Sequence, residues 1–104
     1  MSGFTTQFKK LPPSIIRLLE FVTKQIKPEA ILLFGSRARG DHRENSDFDI
    51  AIKKEKMDSA NWSSLLVTLD EEPFTLHKVD LVHYQMMAQN YKDNIDREGL
   101  ILYE

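Results

Sequence analysis

Three aspartates and one glycine-serine step carry the chemistry this chain can do. Asp47-Phe48-Asp49-Ile50 opens an alternating run in which Phe48, Ile50 and Ile52 point one way and Asp47, Asp49, Ala51 and Lys53 the other. On a strand the two carboxylates leave the same face, with Cα atoms about 6.5–7 Å apart, and small Ala51 leaves room beside them. Carboxylates brought to about 4 Å repel by ~4 kcal/mol at an effective dielectric of about 20. A hard divalent cation removes that penalty, and Mg²⁺ takes one or two carboxylates together with substrate phosphates. Two such ions activate an attacking oxygen and stabilise the leaving group of an in-line displacement. Asp80, in Lys78-Val79-Asp80-Leu81-Val82, occupies a run where an acid is unwelcome without a cation or partner. It is the candidate third metal ligand and the general base for an acceptor hydroxyl. The bland alternative is a strand-end aspartate held by backbone N–H groups.

Upstream lies Phe34-Gly35-Ser36-Arg37-Ala38-Arg39-Gly40, with ten residues between Ser36 and Asp47. Gly35 ends an apolar run and lets the backbone approach a ligand closely. Ser36 offers a hydroxyl and an N–H where a helical turn can start, an arrangement that binds anions. Arg37 and Arg39 add permanent positive charge suited to triphosphate oxygens, against the simpler reading of solvated loop charges. The loop lacks the Lys-Ser/Thr ending of a P-loop and is no dinucleotide fingerprint. His42, His77 and His83 lack metal-ligand spacing, and Lys53 to Lys56 reads as a solvated strand exit.

These residues need strands and a turn to hold them. Residues 1–13 read as a loose N-terminal arm ending at Pro12-Pro13, and 14–104 as one domain. Ser14 is the expected N-cap of a helix over 15–27, with Ile15, Leu18, Leu19, Val22 and Ile26 in one stripe, Ile16 and Phe21 off it, and Pro28 as the stop. Ala30 to Phe34 reads as a strand buried on both faces, and Gly35 to Ser46 as a loop with room for one helical turn. Asp58 or Ser59 caps a helix over 59–71 whose Trp62, Leu65, Leu66 and Leu69 share a face, and Pro73 ends it. Leu76 to Tyr84 is a third strand. A helix over 85–97 shows Met87, Ala88, Tyr91 and Ile95 on one side and stops at Gly99, and Leu100 to Tyr103 forms a short edge strand. The order α-β-α-β-α-β-α implies an α/β (α+β) domain, with a small mixed sheet of three to four strands and helices packed against it.

A chain of 104 residues suits a single core. The net charge of −2 argues against direct nucleic-acid binding, which draws on a basic excess. The absence of cysteine excludes disulfides and thiolate metal sites. No apolar stretch approaches the ~20 residues that span a bilayer, and no apolar region follows Lys9 and Lys10, so a cytoplasmic location is expected.

Gly35-Ser36, the ten-residue spacer, Asp47-Phe48-Asp49 and the later Asp80 resemble the DNA polymerase β-type nucleotidyltransferase superfamily. More narrowly, the Phe-Gly-Ser-Arg-Ala-Arg-Gly form is similar to the minimal nucleotidyltransferase (MNT) group, antitoxin-like partners of HEPN-domain toxins. The resemblance spans about residues 30–84 and implies the nucleotidyltransferase fold. It also implies a Mg²⁺-dependent enzyme that moves NMP, AMP from ATP in the first instance, onto a partner-protein hydroxyl. Asp47, Asp49 and Asp80 would be catalytic and metal-binding, and Gly35, Ser36, Arg37 and Arg39 would take the nucleotide phosphates. The alternatives are a non-catalytic module that neutralises its partner by occlusion, or transfer to a small molecule or nucleic acid.

Overall fold

The computed structural model describes residues 3–71 and 74–104. Its first helix is unexpected. Residues 3–12 are not a loose arm: Thr5 caps a short helix α1 (Thr6–Lys9) whose Phe8 is buried, and Phe4 stacks on Phe8 and bridges to Tyr103. Two aromatic rings within five residues bury enough apolar surface to tie this segment down.

Helix α2 (Pro13–Ile26) starts one residue before Ser14. Proline suits the first helical position, where its missing N–H is not needed, so Pro13 opens the helix and Ser14 lies inside it. The Ser14 hydroxyl is freed to pair with Thr75 Oγ1 at 2.7 Å. Lys27, the one non-glycine residue at positive φ among those described, turns the chain out at φ 54° ahead of Pro28. The expected stripe is buried in full, and off-stripe Phe21 lies against Phe74, with ring centroids 5.1 Å apart.

The β1 strand (Ala30–Phe34) leads through a single turn, α3 (Ser36–Arg39), into β2 (Phe48–Lys53). Helix α4 (Ser59–Glu71) crosses to β3 (Val79–His83), a 3₁₀ turn follows at Tyr84–Met86, and α5 (Gln89–Glu98) and β4 (Leu100–Tyr103) close the chain. The Pro73 stop lies outside the described residues. The sheet order is β3-β2-β1-β4; β1 pairs antiparallel with β2 and β4, while β2 and β3 run parallel, as an α4 crossover allows. The fold is the α/β mixed sheet that the element order implied. One sheet face packs Ile31, Leu33, Phe48, Ile50 and Ile52 against α2 and Leu65 of α4. The other carries Leu32 and Ala51 beneath Ile95 of α5.

Several expected positions differ. Leu66 is 39% exposed, because α4 meets the core chiefly through Leu65. Met87 and Ala88 precede α5, and Tyr91 is 54% exposed; of that face only Ile95 is buried, where α5 reaches the sheet. β3 is shorter than 76–84, and Leu76 is fully exposed. Gly99 ends α5 without a left-handed turn: its backbone is extended, and a Cβ there would strike the Ile95 carbonyl and crowd Leu32. No helix among the described residues is long and apolar enough to cross a membrane.

Candidate active site

Phe34 is the last residue of β1 and stands opposite Asp49 of β2. The next residue, Gly35, has φ 75° and ψ −157°, a region that only glycine occupies without strain. The reason for glycine is spatial as well: a Cβ would collide with Asp49 Oδ2 and lie 3.2 Å from its Cγ. The Gly35 backbone is therefore pressed against the Asp49 carboxylate. Immediately afterwards α3 begins, and Gly40, at φ 84°, closes it through an N–H bond to Ser36 O at 3.0 Å. The first N–H groups of such a turn have no acceptor inside it and point outward beside Ser36.

Asp49 and Asp80 are Cα partners across the parallel β2–β3 pair, so both carboxylates leave one face of the sheet. Asp49 is half-buried and Asp80 exposed. Burial raises the Asp49 pKa above the usual carboxylate value, the negative charges of Asp80 and Asp47 raise it further, and Arg39 acts in the opposite direction. Asp47 lies just ahead of β2, with its Oδ2 3.8 Å from Lys78 Nζ. The charges of Asp47 and Asp80 thus bear on Asp49 at one end of the sheet. The open ground is at that end and not beside Ala51, which is fully buried under α5.

The two arginines part company. Arg37 turns back into its own loop: Nη2 donates to the carbonyls of Glu44 (2.8 Å) and Ser46 (3.0 Å), Nε donates to Ser46 (3.3 Å), and the guanidinium lies 4.1 Å over the Phe48 ring. Arg37, expected at the phosphates, is here engaged with its own loop. Its Nε and Nη2 brace residues 44–46, just ahead of Asp47. Arg39 instead faces the acids, bridging Asp41 and Glu98 at 3.2 Å each. Nothing in the sequence pointed to Glu98 or Lys78. Their roles depend on chain segments that meet only through the sheet. The histidines are not gathered; His83 Nε2 donates to Lys54 O at 3.0 Å, and His77 meets the Phe48 ring edge-on. Lys53 is no free strand exit either, since its ammonium sits 4.3 Å from the Tyr84 ring centroid.

Among the described residues no three acidic or histidine side chains close into a ready metal cage. The donor chemistry nevertheless fits a hard cation: Asp49 and Asp80 leave one face with Asp47 just ahead of β2, and burial, followed by the charges of Asp80 and Asp47, already disfavours ionisation of Asp49. A cavity of about 410 Å³, lined in part by Leu66, Leu69, Asp70, Thr75 and His77, runs along the β3 edge and reaches Asp80.

A family profile described as "Polymerase beta, Nucleotidyltransferase" matches residues 17–104. The chain belongs to the polymerase β-type nucleotidyltransferases. Among solved structures, this nucleotidyltransferase is similar to a toxin–antitoxin crystal structure with AMP-PNP, at 27% identity and TM-score 0.60, over 85% of this chain and 68% of that one. It is equally similar, at TM-score 0.60 and 25% identity, to a structure of the minimal nucleotidyltransferase kind, over 81% of this chain and 84% of the other. A toxin–antitoxin MntA-HpeT structure in which two aspartates two positions apart are replaced by glutamate matches at 26% identity and TM-score 0.57, over 84% of this chain and 67% of that one. Comparison with curated proteins gives no match.

Proposed function

We propose that this nucleotidyltransferase moves AMP from ATP to a hydroxyl of a partner protein, as the antitoxin of a pair whose toxin is a HEPN-domain protein. The observation that carries the reading is the meeting of Gly35, Asp49 and Asp80 at one sheet end, where the α3 turn abuts a carboxylate pair. The similarity to toxin–antitoxin structures, one with a nucleotide analogue, supports the partner and the nucleotide class.

In this reading the amides of the Ser36 turn, the Ser36 hydroxyl and Arg39 take the triphosphate oxygens. Asp47, Asp49 and Asp80 are the residues that would hold Mg²⁺. When bound, the ion supplies neutralisation of triphosphate charge and of the carboxylates' own repulsion. Asp80, exposed beside the β3 cleft, accepts the proton of the incoming hydroxyl. The acceptor oxygen then bonds to the α-phosphorus as its bond to pyrophosphate breaks. AMP on a toxin adds bulk and negative charge where RNA phosphates would lie, which blocks it by repulsion as well as by size.

Incubating the protein with ATP, Mg²⁺ and its partner should raise the partner's mass by whole AMP units. Asp47→Asn should prevent this, and Asp80→Asn should slow the chemical step more than it weakens ATP binding. A partner left unmodified yet neutralised would favour occlusion; modification of a nucleic acid or small molecule instead would move the acceptor to another class.

A further inference from the structure

We propose that Glu98 is a positioning residue for nucleotide binding: from the end of α5 it holds the Arg39 guanidinium at the mouth of the Gly35-Ser36 turn. The proposal rests on the assignment of Arg39 to the triphosphate and adds the device that aims it. Glu98 lies 59 residues from Arg39 in sequence, yet its Oε2 is 3.2 Å from Arg39 Nη1. Topology brings it there. The β1–β4 register pairs Leu33 with Leu100, so the end of α5 is brought to the end of β1, from which α3 begins. Only Gly99 separates α5 from β4, and that residue is too tightly packed against Ile95 and Leu32 to admit a Cβ, so Glu98 has little freedom to drift.

Local helix energetics argue against an acid at this place. The C-terminal end of a helix carries partial negative charge and favours cations, so Glu98 works against α5's own stability. An acid kept there despite that cost has its use elsewhere, and its partner is Arg39, the cation whose charge bears on Asp49. The same guanidinium is held on a second side by Asp41 at 3.2 Å. Two carboxylates on different segments restrict a long side chain that is otherwise 46% exposed. The ordering entropy of Arg39 is thereby met on folding and not on nucleotide binding.

The test measures the Kd of a non-hydrolysable ATP analogue with Mg²⁺, without any acceptor, for the wild type, Glu98→Ala, Glu98→Gln, Arg39→Ala and the Glu98→Ala/Arg39→Ala double variant. Glu98→Ala should weaken binding about threefold to fivefold, the scale of a partly exposed ion pair. Arg39→Ala should weaken it about tenfold or more, as the loss of a hydrogen bond to a charged group does. The double variant should bind no worse than Arg39→Ala, because Glu98 acts only through Arg39. Glu98→Gln keeps an acceptor oxygen for the guanidinium and should restore most of the affinity, which a purely fold-supporting role does not require. Binding by Glu98→Ala equal to or tighter than wild type would overturn the proposal, since an acid near a triphosphate then merely repels it. Additive losses in the double variant, or unchanged affinity in Arg39→Ala, overturn it too. Because no acceptor is present, failure to adenylylate a partner leaves this inference standing, and its own failure leaves the transfer reaction untouched.

Discussion

Replacing Gly35 by alanine separates two costs that the structure assigns to one position. The first is backbone strain: φ 75° with ψ −157° is open to glycine alone, and holding another residue there costs about 1–3 kcal/mol. The second is collision, since the new Cβ meets Asp49 Oδ2, and forcing an extra carbon into a filled space costs about 1–3 kcal/mol more. The sum, roughly 2–6 kcal/mol, is a large share of the stability of a small domain. At about 4–8 °C per kcal/mol for a chain of this size, the thermal midpoint should fall by about 8 °C or more. Asp49→Ala alone should be neutral or stabilising, because it removes a half-buried acid crowded by Asp47 and Asp80. The double variant Gly35→Ala/Asp49→Ala should then recover the collision part but not the strain, so the two substitutions must be non-additive. Urea and thermal unfolding followed by circular dichroism on all four proteins closes the cycle. A Gly35→Ala protein within about 0.5 kcal/mol of wild type, the range of an ordinary surface substitution, would refute the close-approach argument. So would strict additivity.

Two further outcomes follow from the same geometry. Asp49 is raised above its unfolded value, so the folded state binds the proton more tightly, and stability falls as pH rises from the unfolded pKa through the folded one; in metal-free buffer Asp49→Asn should flatten that decline, and an unchanged pH profile would count against the crowding of the three acids. Arg37→Ala should leave the core stable but expose residues 40–47 to limited proteolysis, because the three bonds to Glu44 and Ser46 and the contact with Phe48 are lost together; a loop as resistant as wild type would return Arg37 to the role of a phosphate ligand.

What could be read in the residues was what short range decides. Ala30–Phe34 forms a strand with the expected bounds, the alternation from Phe48 to Ile52 puts Phe48, Ile50 and Ile52 on one face and Asp49 and Ala51 on the other, and α4 occupies the expected span, with the Asp58 carboxylate accepting from Asn61 N at 3.1 Å. Periodicity and capping are properties of neighbours in sequence, so they survive without a fold. The motif itself, Gly35-Ser36 with Asp47 and Asp49, is local in the same sense, and so is the family it indicates. Tertiary structure decided which of these groups meet. Asp80 faces Asp49 only because β2 and β3 pair in parallel at that register, and Glu98 reaches Arg39 only because β4 returns beside β1. Arg37 and Arg39, two apart and alike in sequence, diverge because one side of α3 lies over Phe48 and its loop while the other opens toward the acids. Leu66 and Tyr91 remain outside the core despite their helical phase, for a helix buries only the residues that the sheet is wide enough to cover. Contacts between distant segments depend on register and on the area left to pack, and neither quantity is written at any single position.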